Sequence, residues 1–240
     1  MIRTVSETGS TNADLAAALR AGELFPEGTW LVANRQTSGR GRQGRSWSDG
    51  QGNFMGSTLV RLQDRDPAPA SLALMAGLAL YEAVLPLIAT PADLSLKWPN
   101  DLMLGGAKLA GILLEREGNA IIVGIGVNLL IAPDLPDRET IALSSIGPAP
   151  DRDSFAQSLA ASFDRELERW RNFGIEPIVR RWESVAHAVG TRLSVHPPGE
   201  EPIAAAFAGL TMDGALRLRL EGGEERVIHA GDVMLAREEG

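Results

Sequence analysis

The amino-acid sequence predicts an α+β fold: a large domain over residues 1–189 that mixes strands and helices, then a small all-β module over residues 190–240. Three observations carry this. Apolar residues make up 44% of the 240, enough for a continuous core and too many for a disordered chain. Up to Gly190, apolar runs of strand length are interspersed with longer runs of helical period. From Thr191 the runs become short and alternating, separated by Pro197-Pro198-Gly199, Asp213-Gly214 and Gly222-Gly223, the punctuation of a small β module.

Taken in order, GSTNADLAAALRAG (9–22) reads as a helix: Ser10 or Thr11 can cap it, Leu15 and Leu19 share a face, and Gly22 stops it. TWLVANRQ (29–36) reads as a buried strand running into a glycine- and arginine-rich loop, and NFMGSTLVRL (53–62) as the next strand. PASLALMAGLALYEAVLPLI (69–88) is apolar nearly all round, which predicts a core helix ending near Pro86. DLSLKW (93–98) is a strand broken by Pro99. DLMLGGAKLAGILLER (101–116) is a hairpin around Gly105-Gly106, and NAIIVGIGVNLL (119–130) pairs next. Helices follow over 153–174 and 176–190.

The formal net charge is −8. A free-standing nucleic-acid binder carries a basic face, so no specific DNA binding is expected. The absence of cysteine excludes disulfides, thiolate metal sites and cysteine nucleophiles. No signal peptide or membrane span is read, so a cytoplasmic protein is expected. Only Lys97 and Lys108 are lysines among 23 basic residues. An arginine-rich genome would explain that. So would two sites that need a compact ammonium rather than a planar guanidinium.

QTSGRGRQGRSW (36–47) contains Gly39-x-Gly41-x-x-Gly44. A dinucleotide fingerprint needs a helix after the glycines; here turn residues and another strand follow, so that reading fails on context. Anion binding remains. Glycines let successive backbone N–H groups face one ligand, and Arg40, Arg42 and Arg45 offer planar forks for carboxylate or phosphate oxygens. Trp47 offers a flat face to an adenine or is a partly buried core residue. Such a loop should be mobile when empty and order around an anion.

GRGRQGRSW (39–47), KWPNDL (97–102) and KLAGILLE (108–115), in this order and spacing, resemble the signature of the biotin–protein ligases; STN (10–12) and VGIGVNL (123–129) fit as well. The match is close from Ser10 to about Leu129 and looser from Gly190. It implies a mixed-sheet catalytic domain related to the class II aminoacyl-tRNA synthetase core, with an SH3-like C-terminal barrel. The chain begins almost at STN, so the monofunctional type without an N-terminal DNA-binding domain is expected.

The resemblance also implies chemistry. ATP and biotin would be substrates, Mg²⁺ would assist, and the acceptor would be the biotin carboxyl carrier domain of acetyl-CoA carboxylase or a related enzyme. Ser10, Thr11, Asn12 and Gln36 would line the biotin head group, and Gly111 would let ligand approach the strand. Arg40, Gly41 and Arg42 would close over carboxylate and phosphate. Lys108 would be the catalytic charge. Arg45, Trp47, Lys97, Asn100, Asp101 and Asn128 would serve the nucleotide, with Asp101 a metal ligand, a neighbour of one, or a turn cap. His187, His196 and His229 show no metal-like spacing and read as structural or surface.

The tail reads Gly231-Asp232-Val233-Met234-Leu235-Ala236-Arg237, with its arginine displaced by one residue from the family pattern. On a strand that changes its face. A lipoate or octanoate ligase of related fold, a non-catalytic biotin binder and a nucleic-acid module stand as alternatives. The sequence leaves a homodimer open.

Overall fold

The computed structural model describes residues 1–48 and 50–235; the displaced Arg237 lies outside them. The chain opens with a strand that sequence patterning does not mark, β1 (Ile2–Val5). Only four residues long and largely exposed, it is specified by parallel pairing with β2 (Trp30–Ala33). Between them lies α1 (Thr11–Arg20), where the Ser10 side chain accepts from the Ala13 N–H at 3.5 Å. Strand β2 is shorter than the predicted 29–36. Beyond Ala33 the chain leaves β3 (Phe54–Arg61) and keeps only the β1 side, through Asn34 N–H to Val5 O at 2.9 Å.

The apolar helix is α2 (Leu72–Val84), flanked by single 3-10 turns at Pro69–Ser71 and Leu85–Leu87. Taken with its flanking turns, the run Pro69–Leu87 is long and apolar enough to cross a membrane by length and composition. Here Leu72, Met75, Leu80 and Val84 are fully buried, each contributing roughly 2 kcal/mol by leaving water. Strands β4 (Leu94–Lys97), β5 (Asp101–Leu104), β6 (Ala107–Glu117) and β7 (Ala120–Val127) follow. Next come α3 (Arg152–Phe173) and α4 (Glu176–Ser184). Helix α4 stops six residues before the predicted Gly190. The chain instead pairs with β4, where Leu96 N–H donates to Val185 O at 2.8 Å, so tertiary strand pairing overrides helical pattern. The tail holds β8 (Arg192–His196), β9 (Ile203–Leu210), β10 (Leu216–Arg219), β11 (Glu225–Ile228) and β12 (Asp232–Leu235).

Among the described residues the strands form two sheets, ordered β1-β2-β3-β7-β6-β5-β4 and β11-β10-β9-β8-β12. The first is antiparallel apart from β1–β2. Its two faces differ. Ile121, Val123, Ile125 and Val127 of β7 join the main core under α2, α3 and α4. The alternate residues, Ile122, Gly124 and Gly126, face the side covered by α1, as a period of two requires. Glycines therefore pave one face of the central strand, and a cavity opens above them.

One irregularity decides what enters that cavity. Asp101 pairs with Gly111 and Leu102 with Ala110, but Met103 pairs with Lys108 rather than Leu109. The extra residue is a β-bulge in β6, which re-aims the side chains before it. It puts Lys108 on the same face as Asp101 and Gly111. In unbroken alternation Lys108 would share the core face of Ala110 and Ile112.

Candidate active site

A cavity of about 1020 Å³ lies over the glycine face. All fifteen residues singled out from the sequence line it: Ser10, Thr11, Asn12, Gln36, Arg40, Gly41, Arg42, Arg45, Trp47, Lys97, Asn100, Asp101, Lys108, Gly111 and Asn128. They fall into two chemically distinct ends.

The neutral end is built at the N-terminus of α1. Thr11 N–H donates to Gln36 Oε1 at 2.7 Å, and the single Thr11 hydroxyl hydrogen lies within reach of Ser57 Oγ at 2.6 Å and Gln36 Oε1 at 3.0 Å. Ser57 Oγ donates to Asn12 Oδ1 at 2.6 Å, and Asn12 Nδ2 donates to Glu115 Oε2 at 2.6 Å. Ser10, Thr11, Asn12, Gln36 and Ser57 are all buried. Asn12 rests on Gly124, where any Cβ would overlap its amide. Ser57 and Glu115 were not singled out from the sequence. A polar pair, Ser57-Thr58, inside an otherwise apolar buried strand was the available signal.

The charged end centres on Asp101. Lys108 Nζ stands 2.6 Å from Asp101 Oδ1, and Lys97 Nζ 3.2 Å from Oδ2. Burial alone would raise the Asp101 carboxyl, but the two ammoniums more than offset it and hold the group below its ordinary value. Burial pulls Lys108 down, and Asp101 partly restores it. Trp47 lies across Gly126, where a Cβ would overlap its ring, and its ring centroid is 5.8 Å from Lys108 Nζ. At Gly111 a Cβ would sit 3.2 Å from both Lys108 and Trp47. Here it is these two side chains that need the bare strand, besides any ligand.

The Gly/Arg loop closes on itself through Gly41 N–H to Arg45 O at 2.7 Å and Trp47 N–H to Gly39 O at 2.9 Å. A 3-10 turn spans Arg42–Gly44, with Gln43 (φ 56°) and Gly44 (φ 75°) in the left-handed region. Arg40 is exposed at the rim. Arg42 donates to Asn100 Oδ1 at 3.1 Å and to Gly231 O at 3.2 Å, and lies 3.8 Å from Asp232. Arg45 also pairs with Asp232. Lys97 Nζ donates to Val233 O at 3.0 Å, and Trp98 Nε1 to Gly214 O at 3.1 Å. The second sheet is thus a wall of the cavity, and Asp232 is a site residue that the sequence reading did not assign. His196 lies on this wall, while His187 is tucked away from the cavity.

A second segment, 130–141, covers the cavity from the other side. Its end pairs with the backbone of Lys108, through Lys108 N–H to Glu139 O at 2.9 Å and Ile141 N–H to Lys108 O at 3.0 Å. Asn128 ties the same join, donating to Ile141 O at 3.2 Å.

Comparison with known proteins bears on the family and the fold. The profile of the Biotin/lipoate A/B protein ligase family matches residues 9–131, and that of the Biotin protein ligase C terminal domain matches residues 199–235. The chain is 37% identical over 234 residues to the biotin–[acetyl-CoA-carboxylase] ligase of Mycobacterium tuberculosis, covering 96% of this chain and 87% of that one. It is 37% identical over 240 residues to the enzyme of the same name from Paracoccus denitrificans, covering 95% and 98%. The structure of the biotin protein ligase of Aquifex aeolicus in complex with biotin and ATP superposes with a TM-score of 0.84 at 28% identity, covering 99% of each chain. The fold is the mixed sheet with flanking helices and small C-terminal sheet that the sequence predicts, and the chain belongs to the biotin/lipoate protein ligase family.

Proposed function

We propose that this chain is an ATP-dependent biotin–protein ligase of two domains, 1–189 and 190–240, working in the cytoplasm. A carboxylate does not react with amines, so it must first be activated. An oxygen of the biotin carboxylate attacks the α-phosphate of ATP, pyrophosphate leaves, and biotinyl-5'-AMP remains. The ε-amine of a carrier-domain lysine then attacks the acyl carbon and AMP leaves with the C–O bond pair. The carrier domain belongs to acetyl-CoA carboxylase or a related enzyme.

The observation that carries this reading is one continuous cavity with a neutral, hydrogen-bonding end and a cationic end. A ureido ring presents one acceptor and two donors, which Ser10, Thr11, Asn12 and Gln36 complement. Across Gly111, Lys108 reaches where carboxylate and α-phosphate must meet. A point charge on a flexible stem follows oxygens as the phosphorane-like geometry develops. Burial pulls the Lys108 ammonium down, and Asp101, 2.6 Å from its Nζ, opposes that pull. Arg40, Gly41 and Arg42 cover the reacting oxygens and exclude water. Arg45, Lys97, Asn100 and Asn128 flank the nucleotide, and Trp47 lies beside the adenine. Asp101 does not fit as a protein ligand for Mg²⁺: both its oxygens face ammoniums, and no cluster of three acidic or histidine groups occurs among the described residues. Any Mg²⁺ would have to arrive on the triphosphate, and no step here depends on it.

The test is biotin-dependent exchange of labelled pyrophosphate into ATP. Parent enzyme should exchange, and Lys108→Ala should lose roughly 10²–10³-fold, the scale of removing one preorganised charge donor. Exchange supported by lipoate and not by biotin would move the chain to the lipoate branch. Silence with both acids would overturn the adenylation reading.

A further inference from the structure

Beside the residues that face ligand stands a buried side chain with no part in the chemistry described above. Asn53, just before β3, is 1% exposed. Its Oδ1 accepts from Leu130 N–H at 2.9 Å and from Ile131 N–H at 3.1 Å, and its Nδ2 donates to Ile131 O at 2.7 Å. One side chain thus satisfies three backbone groups of two consecutive residues, as a strand partner would. Those residues begin the 130–141 segment. Asn53 itself ends the Gly/Arg loop. At Gly50 a Cβ would overlap the Asn53 amide, and at Gly52 (φ 86°) it would sit 2.7 Å from the Leu130 side chain. The foot of one cover is therefore packed, without slack, on the foot of the other.

The segment's far end is fixed as well, on the backbone of Lys108. Between its ends it is braced by Thr140, whose hydroxyl donates to Pro133 O, and by a bridge between Leu135 and Arg138. Its tip carries Asp137 and Arg138, close enough to Arg45 for their charges to act on it. The two covers meet at their feet and face each other at their tips.

We propose that Asn53 is a positioning residue, the joint through which the Gly/Arg loop and the 130–141 segment close as one unit over the acyl-adenylate. The consequence is that neither cover opens alone: loosening the joint lets the intermediate leak while the reacting groups stay in place. This rests on the ligase reading above.

The experiment uses the full chain with Asn53→Ala, Arg42→Gly and the double variant. Gly50→Ala serves as a second route that disturbs the joint without deleting a polar group. Leakage is read as biotin attached to a bystander protein's lysines, normalised to pyrophosphate exchange, and folding is checked by thermal melting. Asn53→Ala and Gly50→Ala should each raise normalised leakage about tenfold, about one order of magnitude as expected when buried hydrogen bonds are lost. In the Arg42→Gly background Asn53→Ala should add less than about twofold, since the cover it acts through is already open. Without any ligand, trypsin should cut both the loop and Arg138 faster in Asn53→Ala, in parallel. Leakage equal to the parent, leakage that multiplies on top of Arg42→Gly, or faster cutting at one cover only would each overturn the joint. If the parent lacks biotin-dependent exchange, the ligase reading fails, and the trypsin arm still decides whether Asn53 couples the two covers.

Discussion

The two ends of the cavity solve opposite problems. At the neutral end the polar side chains orient one another: Gln36, Thr11, Ser57, Asn12 and Glu115 form one chain of short bonds. At the charged end four cations are held by groups that substrate must outcompete or join. Lys97 and Lys108 share one carboxylate, and Arg42 and Arg45 lean on Asp232 from the other sheet. A rigid neutral end suits a ligand recognised by shape and fixed hydrogen bonds. An exchangeable charged end suits a nucleotide whose phosphates arrive, react and partly leave. The difference shows where this site stores its order: in packing at one end and in replaceable ion pairs at the other.

The sharpest way to break the comparison is at the neutral end. Gly124→Ala places a Cβ on the Asn12 amide and must displace it from both Ser57 and Glu115. Two such hydrogen bonds, one buried and one partly buried, are worth about 2 kcal/mol, so the KM for biotin should rise roughly 30-fold with little change in that for ATP. An equal rise for both substrates would show that the two ends are not separable. A smaller effect is expected at the charged end. Asp232→Asn removes the carboxylate that competes for Arg42 and Arg45, so the KM for ATP should fall about threefold and its dependence on salt should flatten. A higher KM would make Asp232 a guide for the arginines rather than a stand-in for phosphate.

A third prediction concerns stability behind the charged end. Burial, with help from Lys97, pulls the His187 imidazole from 6.5 down to about 4. Its folded value lies below its unfolded one, so between those values the unfolded chain binds more protons and stability falls as pH falls through that window. His187→Leu should remove about 2 kcal/mol of that acid dependence and change little at pH 7, as followed by urea titration at pH 7 and pH 4.5. Unchanged acid sensitivity would assign the acid transition to carboxylates instead.

Much of the site was legible because its residues sit in contiguous motifs. STN lies at one helix start, GRGRQGRSW in one loop, and KWPNDL and KLAGILLE on two neighbouring strands, so local spacing carries their proximity. What the sequence hid was set by pairing between distant segments. Strand β1 is specified by its parallel partner rather than by its own pattern. The early end of α4 follows from a bond to Leu96. Ser57 and Asn53 look like ordinary polar residues in a strand until their partners 45 or 77 positions away are known. The two glycines of VGIGV are in the structure the clearance for Asn12 and Trp47, a role that needs the fold to be seen.

The bulge at Leu109 has a consequence for how this active site can vary. The charge at its centre depends on strand register as much as on residue identity. A related chain could keep the lysine, the Leu-Ala-Gly after it and every letter of KWPND, yet pair the two strands without the bulge. Its ammonium would then point into hydrocarbon, and the protein would be left with a binding pocket emptied of chemistry. Parity along β6 is therefore a better mark of an active ligase than the presence of the lysine itself.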